Sequence, residues 1–366
     1  MLGLCLLGLF AYLLRDRVLA GQNDFVQLYT SARLVGTPGL YDPEANKVVH
    51  REVLGGVFLE SVYCSRPPFY GFLLKPLARL PYLTAYWIFQ AISFASLVGF
   101  LYMFRPGGGE FFLFASLSLP LLSALATGQD VTIAVLLAAV SLRLSEKGKD
   151  FASGLVLSLC AIKFHLFVLV PVVVLIHKRW RLLAGGVAGG AVLMTLSFIA
   201  QGPGWPLEYL PMLSNPELHP GPEHMPNLRG TWFALTGGES KPALAAMGAM
   251  VTLGIAWLAR GIRSYPVMFA LALVGGILVS YHNYLQDCLV LLLAFGIVLH
   301  QAEGARLRGI LGIANTPPPF LGLLVGVPYN VMAPLLLLGV VGMALAGRLN
   351  LLPRKPVEVL TPLSHQ

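Results

Sequence analysis

Residues 151–176 read FASGLVLSLCAIKFHLFVLVPVVVLI, an apolar run broken by a single charged side chain, Lys163, with His165 two places on. Basic clusters flank it on both sides, Arg143, Lys147 and Lys149 before it and Lys178, Arg179 and Arg181 after it. Lys and Arg between membrane helices collect on the cytoplasmic side. With both flanks cytoplasmic, the run has to cross an even number of times. At about 1.5 Å per residue and about 20 residues per crossing, it is too short for two full passes. Two half-helices meeting near Lys163-Phe164-His165 satisfy both constraints. Breaks of this kind occur where backbone lines a protein-enclosed cavity.

The rest of the chain has the same character. Its 366 residues are 56% hydrophobic and 11% charged, with a mean hydropathy of +0.74. A soluble domain carries about 25% charged residues. The apolar runs recur at near helix-spanning length, and the alternation of a membrane β-barrel is absent. The fold class is therefore an all-α polytopic membrane protein. The first run, Leu2 to Leu14, has neither a basic start nor a small-residue cleavage site and reads as an uncleaved anchor helix. The formal charge of +8 lies largely in short clusters between apolar runs, which continue with Arg260/Arg263, Arg306/Arg308 and Arg348/Arg354/Lys355. These orient the chain and are no nucleic-acid footprint, since no basic-aromatic surface accompanies them. Cys5, Cys64, Cys160 and Cys288 have no metal-ligand spacing and imply packing rather than a disulfide framework.

Placing the basic clusters in the cytoplasm threads the chain as one transmembrane domain over 1–349 with a cytoplasmic tail at 350–366. A first helix covers about 1–20. An extracytoplasmic loop over 21–81 follows, holding amphipathic pieces near 25–35 and 44–58. Pro67 to Leu80 is short and carries Lys75 and Arg79; as a full crossing it would put Arg105 outside, so it reads as interfacial or re-entrant. Crossings follow at 82–104, 111–127, 130–145 and 181–201. After a Pro-rich extracytoplasmic loop over 202–241 come 242–260, 264–280, 285–300, 309–327 and 329–347, with Pro317 to Pro319 distorting the penultimate one. Ten to twelve transmembrane helices result. The extracytoplasmic face collects the first loop, the Gly128 turn, Lys163, the 202–241 loop and the Tyr281-His282 turn.

Asp24 sits in Gly21-Gln22-Asn23-Asp24-Phe25, at the exit of the first helix. Either it or Asn23 suits the N-cap of a helix starting at Phe25, and a catalytic carboxylate fits the same place. Lys163 suits a phosphate ligand at a broken helix. Tyr281-His282-Asn283-Tyr284 with Asp287 is a third polar group, equally readable as a hydrogen-bonded turn. His219, Glu223, His224, Asn227 and Arg229 form a fourth, whose spacing matches no usual zinc pattern. Gly128-Gln129-Asp130 reads as helix capping and Leu40-Tyr41-Asp42-Pro43 as a turn.

Taken in order, these pieces resemble glycosyltransferase family 87, the polyprenol-phosphate-mannose-dependent α-mannosyltransferases of the GT-C class. The resemblance is carried by Asn23-Asp24-Phe25 with Tyr29, Leu40-Tyr41-Asp42-Pro43, Arg66-Pro67-Pro68-Phe69 with Lys75-Pro76-Leu77, and Trp87. It continues through Gly128-Gln129, Ser153-Gly154, Lys163, Lys178-Arg179-Trp180, Asn227-Leu228-Arg229-Gly230 and Ser280-Tyr281-His282. It implies a GT-C helical bundle in a bacterial plasma (inner) membrane, with the active site on the extracytoplasmic side and no nucleotide-sugar domain. Three positions depart from the family's usual pattern: Phe164 where Pro follows the Lys, Tyr281 where Pro precedes the His, and Asp130 where Asn follows Gly-Gln.

The resemblance implies transfer of a hexose, mannose in the family, from a polyprenyl phosphate to a lipid or glycan acceptor, with inversion. Asp24 is the expected general base. Lys163, His282, Arg66 and Arg229 are the expected donor-phosphate contacts; Tyr29, Tyr41, Gln129, Asn227 and Tyr284 are the expected acceptor or sugar contacts. No cofactor or metal is called for, though Asp24 with Asp42 forms a conceivable metal pair. Partners are the lipid-linked donor, the acceptor and membrane lipids, with no nucleic acid. A transporter or flippase of a lipid-linked or polar substrate would also use a broken helix with a buried Lys; a catalytically dead homologue is a third reading.

Overall fold

The computed structural model describes residues 2–104, 108–301, 305–349 and 351. The expected tail, Arg105, Arg354 and Lys355, and the side chain of Cys5 lie outside what is described. No strand occurs among the described residues.

The first 80 residues form α1 (Leu2–Leu19) and three short helices, α2 (Phe25–Leu34), α3 (Pro43–Val53) and α4 (Pro68–Leu74). α2 and α3 fall on the amphipathic pieces expected near 25–35 and 44–58, the second ending earlier, at Val53, and α4 falls within the short apolar piece Pro67 to Leu80. Pro68 at the start of α4 and Pro76 just after it limit that element to seven residues, too few to span a bilayer. α4 lies against α2 so closely that a Cβ on Gly71 would come 2.8 Å from the Ser31 carbonyl oxygen.

The apolar runs then become α5 (Tyr82–Met103), α6 (Gly108–Leu117), α7 (Leu119–Ala126) and α8 (Val131–Glu146). The broken run follows as α9 (Asp150–Ser158), a 3₁₀ stretch over Leu159–Phe167, and α10 (Val170–Ile176). α11 (Trp180–Gln201) ends at Gly202, which takes a positive φ of 84°. Among the described residues, four stretches are long and apolar enough to cross a membrane: α5, Asp150–Phe167, α11, and α14 (Lys241–Gly261). α6 and α7, bent by 56°, pass the same test as one broken span. The ten to twelve crossings expected from hydropathy are thus not all continuous helices of spanning length, because proline and glycine divide several runs. Pro317-Pro318-Pro319 does so between the helices Ala305–Ile313 and Pro318–Val325, as expected.

The 202–241 segment is more ordered than a Pro-rich loop. It contains α12 (Trp205–Ser214) and α13 (Leu228–Thr236), the latter capped by the Asn227 side chain. α14 is followed by α15 (Tyr265–Val279), a 3₁₀ turn over Leu285–Leu289, α16 (Val290–Gln301), α17 (Ala305–Ile313), α18 (Pro318–Val325) and α19 (Met332–Leu345). α15 and α16 are buried around almost their whole circumference and form the centre of the bundle. Helices that are apolar all round occupy such positions. α11 and α14 instead present Val187, Val192, Ile199, Met250, Leu253 and Trp257 outward, as lipid-facing helices do.

Within a bilayer, helix association relies on close packing of small residues. α9 and α11 meet at Gly154, Gly185 and Gly189. A Cβ on Gly154 would lie 2.0 Å from the Leu182 carbonyl oxygen, and one on Gly185 2.0 Å from that of Phe151. Gly190, on the same helix, has nothing within 4 Å. Gly185→Val should therefore cost roughly 1–3 kcal/mol or more through overpacking, read as a lower melting temperature in detergent, while Gly190→Ala should leave it unchanged. Equal melting of the two variants would refute this packing.

Candidate active site

Asp24 is held by the turn between α1 and α2. Gly21 adopts φ 64°, and its carbonyl accepts the Tyr82 hydroxyl at 2.5 Å. One helical turn along α5, Tyr86 accepts from the Asn23 amide at 3.1 Å. Phe25 sinks between Tyr82, Tyr86 and Phe89, with ring centroids 5.0–5.7 Å away. The Asp24 backbone N–H donates to the Thr127 carbonyl at 3.0 Å, which fastens the turn to the end of α7. Gly128 takes φ 65° there, and a Cβ on it would lie 2.9 Å from Asn23 Oδ1. Of the two capping candidates, Asn23 does the work: its Oδ1 accepts the Phe25 N–H at 3.2 Å, while Asp24 makes no capping bond. The Asp24 carboxylate is left free to face a cavity.

That cavity measures about 80 Å³ and is lined by Asp24, Gln129, Lys163, Arg66, His282 and Asp287 among others. Lys163 is the kink in the broken run, with φ −134° and ψ 43° inside an otherwise helical stretch. Its ammonium donates to Gln129 Oε1 and to Asp287 Oδ1, both at 2.8 Å, and lies 3.5 Å from Asp130 Oδ1. An ammonium can only donate, so the Gln129 oxygen must face it and the amide NH₂ must face the other way. That NH₂ donates to Asp24 Oδ2 at 2.5 Å. Arg66 grips Asp130 through two bonds of 3.1 Å. Asp287 also accepts the Tyr284 backbone N–H at 3.0 Å.

The Gly128-Gln129-Asp130 turn, read from sequence as helix capping, is therefore part of a buried ionic network. The Asp130 side chain makes no capping bond to α8 and lies wholly buried between two cations. Three carboxylates (Asp24, Asp130, Asp287) face two cations (Lys163, Arg66), which leaves one excess negative charge. It falls on Asp24, whose side-chain hydrogen bond among the described residues is to a neutral amide. Desolvation raises the Asp24 carboxyl above its ordinary value; the Gln129 hydrogen bond and the charges of Lys163 and Arg66 only partly oppose it. Burial pushes His282 down to about 3, with His219 adding to the effect, so its imidazole is neutral.

The expected site residues divide. Asp24, Lys163, His282, Arg66, Gln129 and Tyr284 share the cavity. Tyr29, Tyr41, Asn227 and Arg229 do not line it. The Tyr29 hydroxyl donates to Leu80, and that of Tyr41 donates to the Arg66 carbonyl. Asn227 caps α13 and donates to the Ser280 carbonyl at 2.7 Å. Arg229 pairs with Glu239 at 2.6 Å and covers the Tyr281 ring. Asp42 caps α3 through Glu44 N–H, and no group of three His, Cys, Asp or Glu among the described residues is placed to hold a metal. The cavity also takes His165 and His219, which sequence reading named without weighing singly. His165 Nε2 is a buried nitrogen with no hydrogen-bond partner, and His219 packs against His282 with ring centroids 5.0 Å apart. Their signal was position: His165 lies two residues past the kink, and His219 lies in the loop expected on the same face.

The family model for glycosyltransferase family 87 matches residues 66–282, more than half of the chain, from the Arg66 of this network to its His282. The chain belongs to glycosyltransferase family 87. It is a membrane glycosyltransferase, with a sugar donor and an acceptor as its substrates. No curated protein and no solved structure matches the chain.

The two kinds of carboxylate should respond oppositely to neutralisation. Asp130→Asn leaves Arg66 buried without its counter-ion and should destabilise the protein by about 3–5 kcal/mol. Asp24→Asn removes an unmatched charge. A carboxyl whose pKa is raised on folding opposes stability wherever it is ionised, so this variant should melt at or above the wild-type temperature at neutral pH. Thermal melts of both in detergent test the contrast, and a destabilised Asp24→Asn would contradict it.

Proposed function

We propose that this family 87 enzyme transfers a hexose, mannose by the family resemblance, from a polyprenyl phosphate to a hydroxyl of a lipid or glycan acceptor, with inversion. Asp24 is the base. The observation that carries this is the charge imbalance at the cavity: of the three carboxylates there, Asp24 alone lacks a cationic partner among the described residues and is available for a proton. A carboxylate with a raised pKa is also a stronger base than an exposed one.

The acceptor oxygen bonds to the anomeric carbon, the bond from that carbon to the phosphate oxygen breaks, and its electron pair leaves with the phosphate. The acceptor proton passes to Asp24. Phosphate is a good leaving group and needs no general acid. The long 3.5 Å contact between Lys163 and Asp130 is the one a phosphate oxygen would replace. Neutral His282 and the unpartnered His165 Nε2 are further hydrogen-bonding groups for it. Arg66, closed on Asp130, would contribute its field rather than a direct bond.

A lipid-borne donor is supported by the other side of the kink. An apolar groove of about 440 Å³ runs there, lined by Cys160, Phe164, Phe167 and Val168 and, from α11, by Leu182 and Val187. Lys163 and His165 line the polar cavity while Phe164, between them, lines the groove. An isoprenoid chain in this groove would deliver its phosphate to Lys163. The site faces the extracytoplasmic side in this reading, because the basic clusters lie on the opposite one.

Purified protein in liposomes, given radiolabelled polyprenyl-phosphate-mannose and a membrane lipid extract, should form a mannosylated product. Asp24→Asn should lower turnover by about 10²–10⁴-fold. The base must be ionised, so kcat should fall toward acid pH with a midpoint above the ordinary 3.8 of an aspartate. Full turnover by Asp24→Asn would remove it as the base, and lipid movement across the bilayer without sugar transfer would favour a flippase.

A further inference from the structure

His282 lines the cavity, yet among the described residues neither nitrogen of its imidazole has a hydrogen-bond partner. Its aim is set by the turn that carries it and by two neighbouring rings, His219 and Tyr284, with centroids 5.0 and 4.9 Å away. We propose that Arg229, with Glu239, is a positioning residue for His282: the pair clamps the adjoining Tyr281 side chain and so fixes where the imidazole stands in the cavity. The proposal rests on the reading above, in which His282 meets the donor phosphate.

Arg229 is fully engaged at the clamp. Its Nε and Nη2 donate to the two oxygens of Glu239 at 3.1 and 2.6 Å, and its Nη1 lies 3.9 Å from the Met225 sulfur. A two-bond grip of this kind fixes the plane of the guanidinium as well as its position. Tyr281 lies on that cation, with the guanidinium carbon 4.1 Å from the ring centroid, and its hydroxyl donates to Glu239 Oε2 at 3.4 Å. The ring is thus held by its face and by its tip. Tyr281 is 49% exposed, so core packing does little to hold it. Among the described residues its ring and polar contacts are both to this pair.

The clamp stands on a rigid base. Arg229 lies in the first turn of α13, which presses against the preceding segment: a Cβ on Gly230 would come 2.2 Å from the Met225 carbonyl oxygen. The Gly230 carbonyl in turn accepts from the Asn330 amide at 3.1 Å. Asn227 commits both ends of its side chain, Oδ1 to the Gly230 N–H at 2.9 Å and Nδ2 to the Ser280 carbonyl at 2.7 Å. The start of α13 therefore holds Ser280 by its backbone and Tyr281 by its side chain. The Ser280 hydroxyl closes the turn by donating to the His282 carbonyl at 3.2 Å. An ion pair that served only to stabilise the bundle has no need of a half-exposed ring next to a cavity residue. A misplacement of about 1 Å at a reacting group can cost about a hundredfold in rate, which gives such a clamp its leverage.

The test is a double-mutant cycle on the full-length protein in proteoliposomes, with polyprenyl-phosphate-[³H]mannose as donor and a membrane lipid extract as acceptor source. Alone, His282→Ala and Arg229→Ala should each lower kcat by about ten- to a hundredfold. Combined, they should be within about twofold of His282→Ala, because Arg229 acts through the residue already removed. Arg229→Lys keeps the charge without the two-bond grip and should recover only part of the loss. Tyr281→Ala should behave as Arg229→Ala does, and Tyr281→Phe, which keeps the ring, should recover most of the activity. Tyr281 is exposed, so its variants carry the cycle should Arg229→Ala fail to fold. Losses that multiply in the double variant overturn the proposal, since Arg229 would then act on the substrate directly. A lower melting temperature with wild-type kcat in Arg229→Ala or Tyr281→Ala also overturns it, leaving the pair a stabilising contact alone. Full turnover by His282→Ala removes His282 from the site, and the clamp's role with it. No consumption of donor by wild type sinks the transferase reading on which both stand.

Discussion

The ammonium of Lys163 organises this protein. It sits in an apolar run where a lone charge would be expensive, and it is stable there because two elements distant in sequence bring groups to it. Gln129 and Asp130 come from the α7–α8 turn, and Asp287 from the 3₁₀ turn before α16. Each partner fixes a backbone segment as well as a charge. The kink at Lys163 turns the broken run toward these groups, and Arg66 closes the network by gripping Asp130 from the first segment. A buried ionic cluster of this kind adds little net stability over a hydrophobic one, but it tolerates almost no other arrangement of its members.

That constraint produces the chemical asymmetry of the site. Gln129 has one end committed to the ammonium, so its other end can only donate, and Asp24 is what receives it. The result is a carboxylate oriented by a hydrogen bond but not neutralised by a cation. Asp130 and Asp287, chemically identical side chains a short distance away, are held as structural counter-ions. Environment rather than residue type separates the unpaired carboxylate from the paired ones.

The bundle around the site follows from a different economy. Glycines at the α9–α11 contact let two helices approach until backbone touches backbone, which holds the kinked run firmly against its neighbour. The same run then divides its side chains between a polar cavity and an apolar groove within three residues. The proposed donor, with an anionic head and a lipid tail, has the same division.

Much of this was legible in the sequence. Hydropathy and the basic clusters determined an all-helical membrane protein, and the ends of α5, α11, α14 and α15 fall within one or two residues of those expected. Parity of crossings located the break at Lys163, because charge flanks and helix length cannot both be satisfied without one. Lys163 stood out as a charge in an apolar run, Asp24 as a carboxylate at a helix exit and His282 as part of a polar turn, and the three share a cavity. What the sequence could not decide was partnership. Asp130 looked like a helix cap because capping is local and ion pairing across the fold is not. Arg229 and Asn227, expected as site residues, do not line the cavity and instead hold the turn before His282, Asn227 through the Ser280 carbonyl and Arg229 over the Tyr281 ring. Which carboxylate keeps its charge unmatched depends on distances between segments that lie from 34 to 124 residues apart in the chain, and only the tertiary structure sets those.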